Sequence, residues 1–140
     1  MNEFMDYMKE QLDLKDYDIK TYSPLVLAYI GDVVFELIIR TKIVSKGNAP
    51  VNKLHNESSS IVKASTQAQM MKQIQDIITE EEEKVYKRGR NAKSGSSPKN
   101  SSIVDYRVAT GFEALIGHLY LAKEYKRIID IIQYGLENLE

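Results

Sequence analysis

The chain has 140 residues, 43% hydrophobic and 28% charged, a globular balance with enough length to bury a core. The absence of cysteine excludes disulfides and thiolate metal sites and fits a reducing compartment. The acidic opening has no apolar run behind it, and no stretch holds the ~18 uninterrupted apolar residues of a membrane span, so we expect a soluble, cytoplasmic protein with no membrane partner.

The net charge of −1 argues at first against a nucleic-acid partner, but the distribution is uneven. From Lys84 to Asn100 there are six basic residues (Lys84, Lys87, Arg88, Arg90, Lys93, Lys99) and no acidic one, leaving 13 basic against 20 acidic residues elsewhere. An acidic body carries one cationic segment. Charge alone leaves open whether that segment is a solvated surface loop or a polyanion grip.

Helical periodicity dominates and strand signals are scarce, so the expected fold is all-α, one domain over residues 1–140. Phe4, Met5, Met8 and Leu12 space out a short amphipathic helix. Ser23-Pro24 is a helix start, serine capping and proline at the first helical position, and the helix runs from Leu25 to about Val44, apolar on nearly every side. Gly47-Asn48-Ala49-Pro50 breaks it. A second start near Pro50 carries Val51 and Leu54 into the Ser58-Ser59-Ser60 run. Ile61 to Ile78 is then predicted as one long helix with Ile61, Ala64, Ala68, Met71, Ile74 and Ile78 on its buried stripe.

Thr79 and Glu82 fit a capping box, and Glu80 to Glu83 sit where the helix dipole favours negative charge, so a short helix should run to about Arg88. Gly89 to Ser102 is predicted as a loop rich in Gly, Ser, Asn and Pro. Ile103 to about Tyr125 is the second strongly apolar helix. Ile128 to Leu139 closes the chain, with Ile128, Ile131, Ile132, Leu136 and Leu139 facing inward.

The two most apolar helices each carry acid where a core should have none. Leu25–Ile39 contains Asp32 and Glu36; Val108–Ala122 contains Glu113 and His118. A buried isolated carboxylate is expensive unless paired or bound to metal. Lysine or arginine from elsewhere could compensate either acid; two acids in two such helices, with no base beside them, favour a shared cation. Mg²⁺ suits the inventory, since it takes oxygen ligands and keeps waters that substrate phosphate can replace. Zinc does not, with no cysteine and only His55 and His118. No serine sits in a nucleophile elbow, which leaves metal-assisted hydrolysis. Gly31, Gly111 and Gly117 point to close helix packing that would bring the acidic helices together. Glu36 could share the face of Asp32 or serve the surface; His118 reads as a core or interface histidine, His55 as a surface one. Arg88-Gly89-Arg90-Asn91-Ala92-Lys93 joins forked guanidiniums to a pliant backbone, suited to phosphate. Only Tyr86 is interleaved there, so contact with a duplex backbone is favoured over base stacking.

Leu27-Ala28-Tyr29-Ile30-Gly31-Asp32 resembles the signature helix of the ribonuclease III family, usually Leu-Glu-Phe-Leu-Gly-Asp, and Glu113-Ala114-Leu115-Ile116-Gly117 resembles its second block, Glu-Ala-Leu-Ile-Gly. Glu80 to Glu83, Lys87 to Gly95, Pro98-Lys99-Asn100 and Tyr106-Arg107 are similar to its Mini-III branch, which lacks the double-stranded-RNA-binding domain. The resemblance implies an all-α homodimer that uses Mg²⁺ to hydrolyse duplex RNA to 5′-phosphate and 3′-hydroxyl ends, maturing 23S ribosomal RNA precursors, with a ribosomal protein as a further candidate partner. It implies that Asp32 and Glu113 are the catalytic and metal-binding carboxylates, with Arg88, Arg90, Asn91, Lys93 and Lys99 gripping RNA. Ala28 and Thr110 depart from the broader family, which has glutamate and aspartate there, though the Mini-III pattern shares both. These losses support the alternative of a non-catalytic helical RNA-binding or ribosome-assembly module.

Overall fold

In the computed structural model, which describes residues 2–93 and 102–139, the fold is all-α. Seven helices are described: α1 (Asn2–Gln11), α2 (Pro24–Val44), α3 (Val51–Val62), α4 (Ala64–Ile74), α5 (Glu80–Asn91), α6 (Ile103–Leu121) and α7 (Tyr125–Glu137), with a 3₁₀ turn at Ile19–Thr21. Among the described residues no helix is long and apolar enough to cross a membrane.

Helix α6 is the axis, packed by α2, α5, α4 and α7. Its sequence is apolar nearly all round because neighbours cover it nearly all round. Phe35 of α2 and Phe112 of α6 meet edge to face, ring centroids 5.2 Å apart, among Ile39, Met70, Met71, Ile74, Leu115, Ile116 and Ile131, all fully buried. Helix α2 is apolar for a different reason: one face enters this core, while Tyr29, Val33 and Leu37 on the other stay exposed.

The local start signals hold. Ser23 Oγ accepts from the Val26 amide at 3.3 Å, and the Thr79–Glu82 capping box is complete, with bonds of 2.9 and 3.1 Å. Glu82 does more than cap. Buried at 7% exposure, it also receives Arg127 of α7 through Nε (2.9 Å) and Nη2 (2.8 Å), and the same Nη2 donates to the Ile77 carbonyl at 2.7 Å.

Five boundaries differ from the sequence-based expectation, one being the end of α4 at Ile74 rather than Ile78. The predicted helix 61–78 is broken at Lys63, whose extended backbone (φ −65°, ψ 155°) ends α3 and begins α4. The serine run and Ile61 therefore belong to α3. Restarting the helix turns its inner stripe to Gln67, Met70, Met71 and Ile74. Helix α5 runs through Gly89 to Asn91, because Gly89 is where α5 touches α6: a Cβ there would lie 2.7 Å from Ala114 Cβ. Helix α6 stops at Leu121, and Lys123, in the left-handed region at φ 62°, turns the chain so that α7 starts at Tyr125. Residues 94–101 of the predicted 89–102 loop, with Lys99, lie outside the described residues.

Candidate active site

Helices α2 and α6 cross with main chain against main chain. A Cβ on Gly31 would overlap the Glu113 carbonyl oxygen and stand 2.7 Å from the Gly117 amide nitrogen. A Cβ on Gly117 would overlap the Leu27 carbonyl oxygen. No side chain other than hydrogen fits at either position, so the glycines set how near the helices come. Asp32 follows Gly31 directly, and Glu113 is the residue whose carbonyl Gly31 faces.

The crossing brings the Asp32 and Glu113 carboxyl groups side by side, close enough for the charge of one to act on the other. They do not meet in an apolar interior, as the sequence suggested. Asp32 is exposed and Glu113 only partly covered, so the pair straddles the surface, one carboxyl open to water and the other backed by the core. The reason is geometric: the glycine contact takes up the inner face of α2, which turns the next residue outward. Burial and then the Asp32 charge push the Glu113 carboxyl up to about 8, against a smaller opposing pull from Gln67. Among the described residues neither acid pairs with lysine or arginine. Two carboxylates side by side without a base need a proton or a cation between them.

Gln67, absent from the sequence-based candidates, completes the site. It is 2% exposed at the first full turn of α4, and its amide nitrogen donates to Glu113 Oε2 (3.2 Å) and to the Val62 carbonyl (2.7 Å). Its oxygen is buried and has no partner among the described residues. A signal existed: Gln67 falls on the i, i+3, i+4, i+7 stripe with Met70, Met71 and Ile74, a lone polar residue on a buried face. Reading one unbroken helix from Ile61 hid it.

The other candidates fall elsewhere. Glu36 is paired to Arg40 one turn on, at 2.8 Å. His55 is exposed on α3, its Nε2 3.4 Å from Ser59 Oγ. His118 borders a cleft with Thr79, Glu82 and Arg127. Ala28 is buried with Leu27, Val85 and Ala114, and the Thr110 hydroxyl donates to the Tyr106 carbonyl at 2.9 Å, so neither position offers a ligand. Among the described residues no group of three or more His, Cys, Asp or Glu converges.

The basic residues are held near by the Gly89–Ala114 contact, which seats the last turn of α5 on the part of α6 that carries Glu113. Arg88, Asn91 and Lys93 are exposed there; Arg90 lies 5.5 Å over the Tyr86 ring and donates to Asn91 Oδ1 at 3.1 Å. None of Arg88, Arg90 and Lys93 is tied up by a described acid.

Residues 25–124, the stretch that includes this crossing and its basic rim, match the profile of the ribonuclease III domain. This chain belongs to the ribonuclease III family. Within it the chain falls in the Mini-ribonuclease 3 branch. The Mini-ribonuclease 3 of a Thermoanaerobacter species is 46% identical over 97% of this chain and 96% of its own length, and that of Clostridium tetani 54% identical over 83% and 78%. A crystal structure of a Fusobacterium nucleatum protein superposes with a TM-score of 0.80 at 32% identity, covering 88% of this chain and 100% of that one. The ribonuclease III match thus includes both glycine–acid segments, Gly31-Asp32 and Glu113 to Gly117.

Proposed function

We propose that this chain is a Mg²⁺-dependent endoribonuclease that cuts double-stranded RNA, with Asp32 and Glu113 as its catalytic, cation-holding carboxylates. The carrying observation is the pair itself: two carboxyls side by side, unpaired by any described base, one of them pushed up to about 8. The donors at hand are hard oxygens, the two carboxyls, and among the described residues no cluster of histidines or other ligands competes with them. That set fits a hydrated Mg²⁺, which needs few protein ligands when substrate phosphate supplies others.

When bound, such an ion polarises the scissile phosphate and makes a nucleophile of water at neutral pH. The chain's own part is to hold the ligands still through the Gly31–Gly117 crossing and to keep Asp32 open to an incoming strand. Arg88, Arg90, Asn91, Lys93 and Lys99 grip backbone phosphates, which supplies affinity without sequence information. A new bond from water oxygen to phosphorus, with loss of the 3′-oxygen, leaves a 5′-phosphate and a 3′-hydroxyl. Family resemblance supports the finer reading: one catalytic domain over residues 1–140, action in the cytoplasm, 23S ribosomal RNA precursor as substrate, a ribosomal protein as possible helper, and a homodimer. The exposed row Tyr29 (78%), Val33 (59%) and Leu37 (54%) on α2 offers the apolar surface such a dimer would bury.

The test is cleavage of a duplex RNA by the wild type and by Asp32→Asn, with and without Mg²⁺. The proposal expects Mg²⁺-dependent scission by the wild type and loss of at least about 100-fold in the variant. A folded Asp32→Asn protein that cuts at the wild-type rate removes the assignment. Duplex binding indifferent to Mg²⁺, with no scission, would instead establish the non-catalytic RNA-binding module, a reading favoured by the buried, non-acidic Ala28 and Thr110.

A further inference from the structure

Gln67 is an anomaly of packing. Its neighbours on the inner stripe of α4, Met70, Met71 and Ile74, are at most 1% exposed and apolar, and a glutamine at 2% exposure must justify four hydrogen-bonding positions, two N–H groups and two oxygen lone pairs. Two are accounted for, since the amide nitrogen donates to the Val62 carbonyl and to Glu113 Oε2. The Val62 carbonyl can only accept, so turning the carboxamide end for end would set oxygen against oxygen there. The orientation is therefore fixed, and the oxygen is left buried with no described partner. A residue present only to fill space would be methionine or leucine; one present only to hold Glu113 would have its oxygen satisfied elsewhere in the protein.

We propose that Gln67 is a positioning residue for cation binding: its amide nitrogen fixes the Glu113 carboxylate, and its amide oxygen accepts a hydrogen bond from a water that the hydrated divalent cation brings in. The inference rests on the cation-dependent reading above and deepens it, adding a residue that touches neither substrate nor metal. The break at Lys63 is what makes it possible, because restarting the helix there turns Gln67 toward α6. Residues that orient metal ligands in this way typically change metal affinity about 10- to 100-fold when removed.

The test compares Gln67→Met, which keeps volume and removes both polar functions, with Gln67→Asn, which keeps the carboxamide on a stem one methylene shorter. Mn²⁺ binding to the RNA-free full chain is read by the paramagnetic resonance of free Mn²⁺, alongside the Mg²⁺ concentration for half-maximal cleavage and the melting temperature without metal. The expected result is a Kd for Mn²⁺ about 10- to 100-fold weaker in Gln67→Met, with a similar rise in the Mg²⁺ requirement and no fall in metal-free melting temperature. Gln67→Asn should keep part of the affinity, its Kd for Mn²⁺ lying between those of wild type and Gln67→Met. A space-filling role predicts the opposite order, methionine tolerated and the smaller asparagine not, and that order overturns the proposal, as does a wild-type Kd in Gln67→Met. Should Gln67→Met not fold, Gln67→Leu decides: a wild-type Kd for Mn²⁺ overturns it. Wild-type protein that needs no divalent cation removes both readings, whereas cation-dependent wild type with an unaltered Gln67→Met removes only this one.

Discussion

Gly31→Ala adds a single methyl group where α2 meets α6. That methyl would overlap the Glu113 carbonyl oxygen and lie 2.7 Å from the Gly117 nitrogen, where ordinary contact begins near 3.4 Å. Both obstacles are main chain, so no rotamer change relieves them, and the helices must part by roughly 1 Å. Overpacking of this kind costs about 1–3 kcal/mol and more against backbone, while replacing a mid-helix glycine by alanine returns about 1 kcal/mol. A net loss of about 2 kcal/mol lowers the melting temperature by roughly 6–8 °C in a domain of this size. Activity should suffer more than stability, because a displacement of about 1 Å between reacting groups costs on the order of 100-fold in rate. Thermal unfolding by circular dichroism and single-turnover cleavage of a duplex RNA, at a temperature where the variant is folded, measure the two separately. Gly47→Ala is the control: its φ of 119° strains any side chain, yet nothing lies within 4 Å, so it should lose stability and keep its rate. A Gly31→Ala protein with wild-type melting and wild-type cleavage would refute the claim that this contact sets the carboxylate spacing.

Arg127→Ala should cost about 2–3 kcal/mol at pH 7 by stranding Glu82, seen in urea unfolding. Arg127 holds the Glu82 carboxyl below its usual range, so the pair's contribution is full above about pH 4.5 and fades as pH falls through the lowered value; wild type and variant should converge there. Glu113 is shifted the other way: a carboxyl held up to about 8 must lose its proton to bind a cation, so Mg²⁺ binding should release a proton and tighten by about tenfold per pH unit from pH 6 towards 8. The same sign makes the metal-free protein less stable as pH rises from about 4.5 through 8, whereas pH-independent calorimetric binding would contradict the shift. Arg88→Ala and Lys93→Ala should each flatten the salt dependence of duplex binding by about one unit of log–log slope, without altering cleavage at saturating RNA. For the proposed homodimer, Leu37→Glu on the exposed face of α2 should shift sedimentation towards monomer; an unchanged profile would refute pairing through this face.

What the sequence disclosed was local chemistry. Ser23-Pro24 and Thr79 with Glu82 declare helix starts because capping involves residues three apart, and Gly31 and Gly117 beside the acids betray a close crossing because a mid-helix glycine needs a reason. Asp32 and Glu113 stood out as charges in apolar helices, and the structure does bring them together. The misjudged features depend on direction. Nothing local says that Asp32 points outward, since α2 is apolar on its exposed face as well as its buried one. Lys63 carries no glycine or proline to mark the break between α3 and α4, so the stripe through Gln67 was concealed. Arg127 reaching Glu82 spans 45 positions, and a charge pattern does not reveal a partner at that range.

Glu82 is at once the cap of one helix and the anchorage of the last one. Through it, the mooring of the helix whose last turn carries Arg88 and Arg90 depends on a segment read some forty residues later. A nascent chain would therefore hold its nucleic-acid grip loosely until α7 arrives to cinch the start of α5. The final helix, far from the reacting groups in sequence and bearing none of them, acts as the latch of the whole assembly.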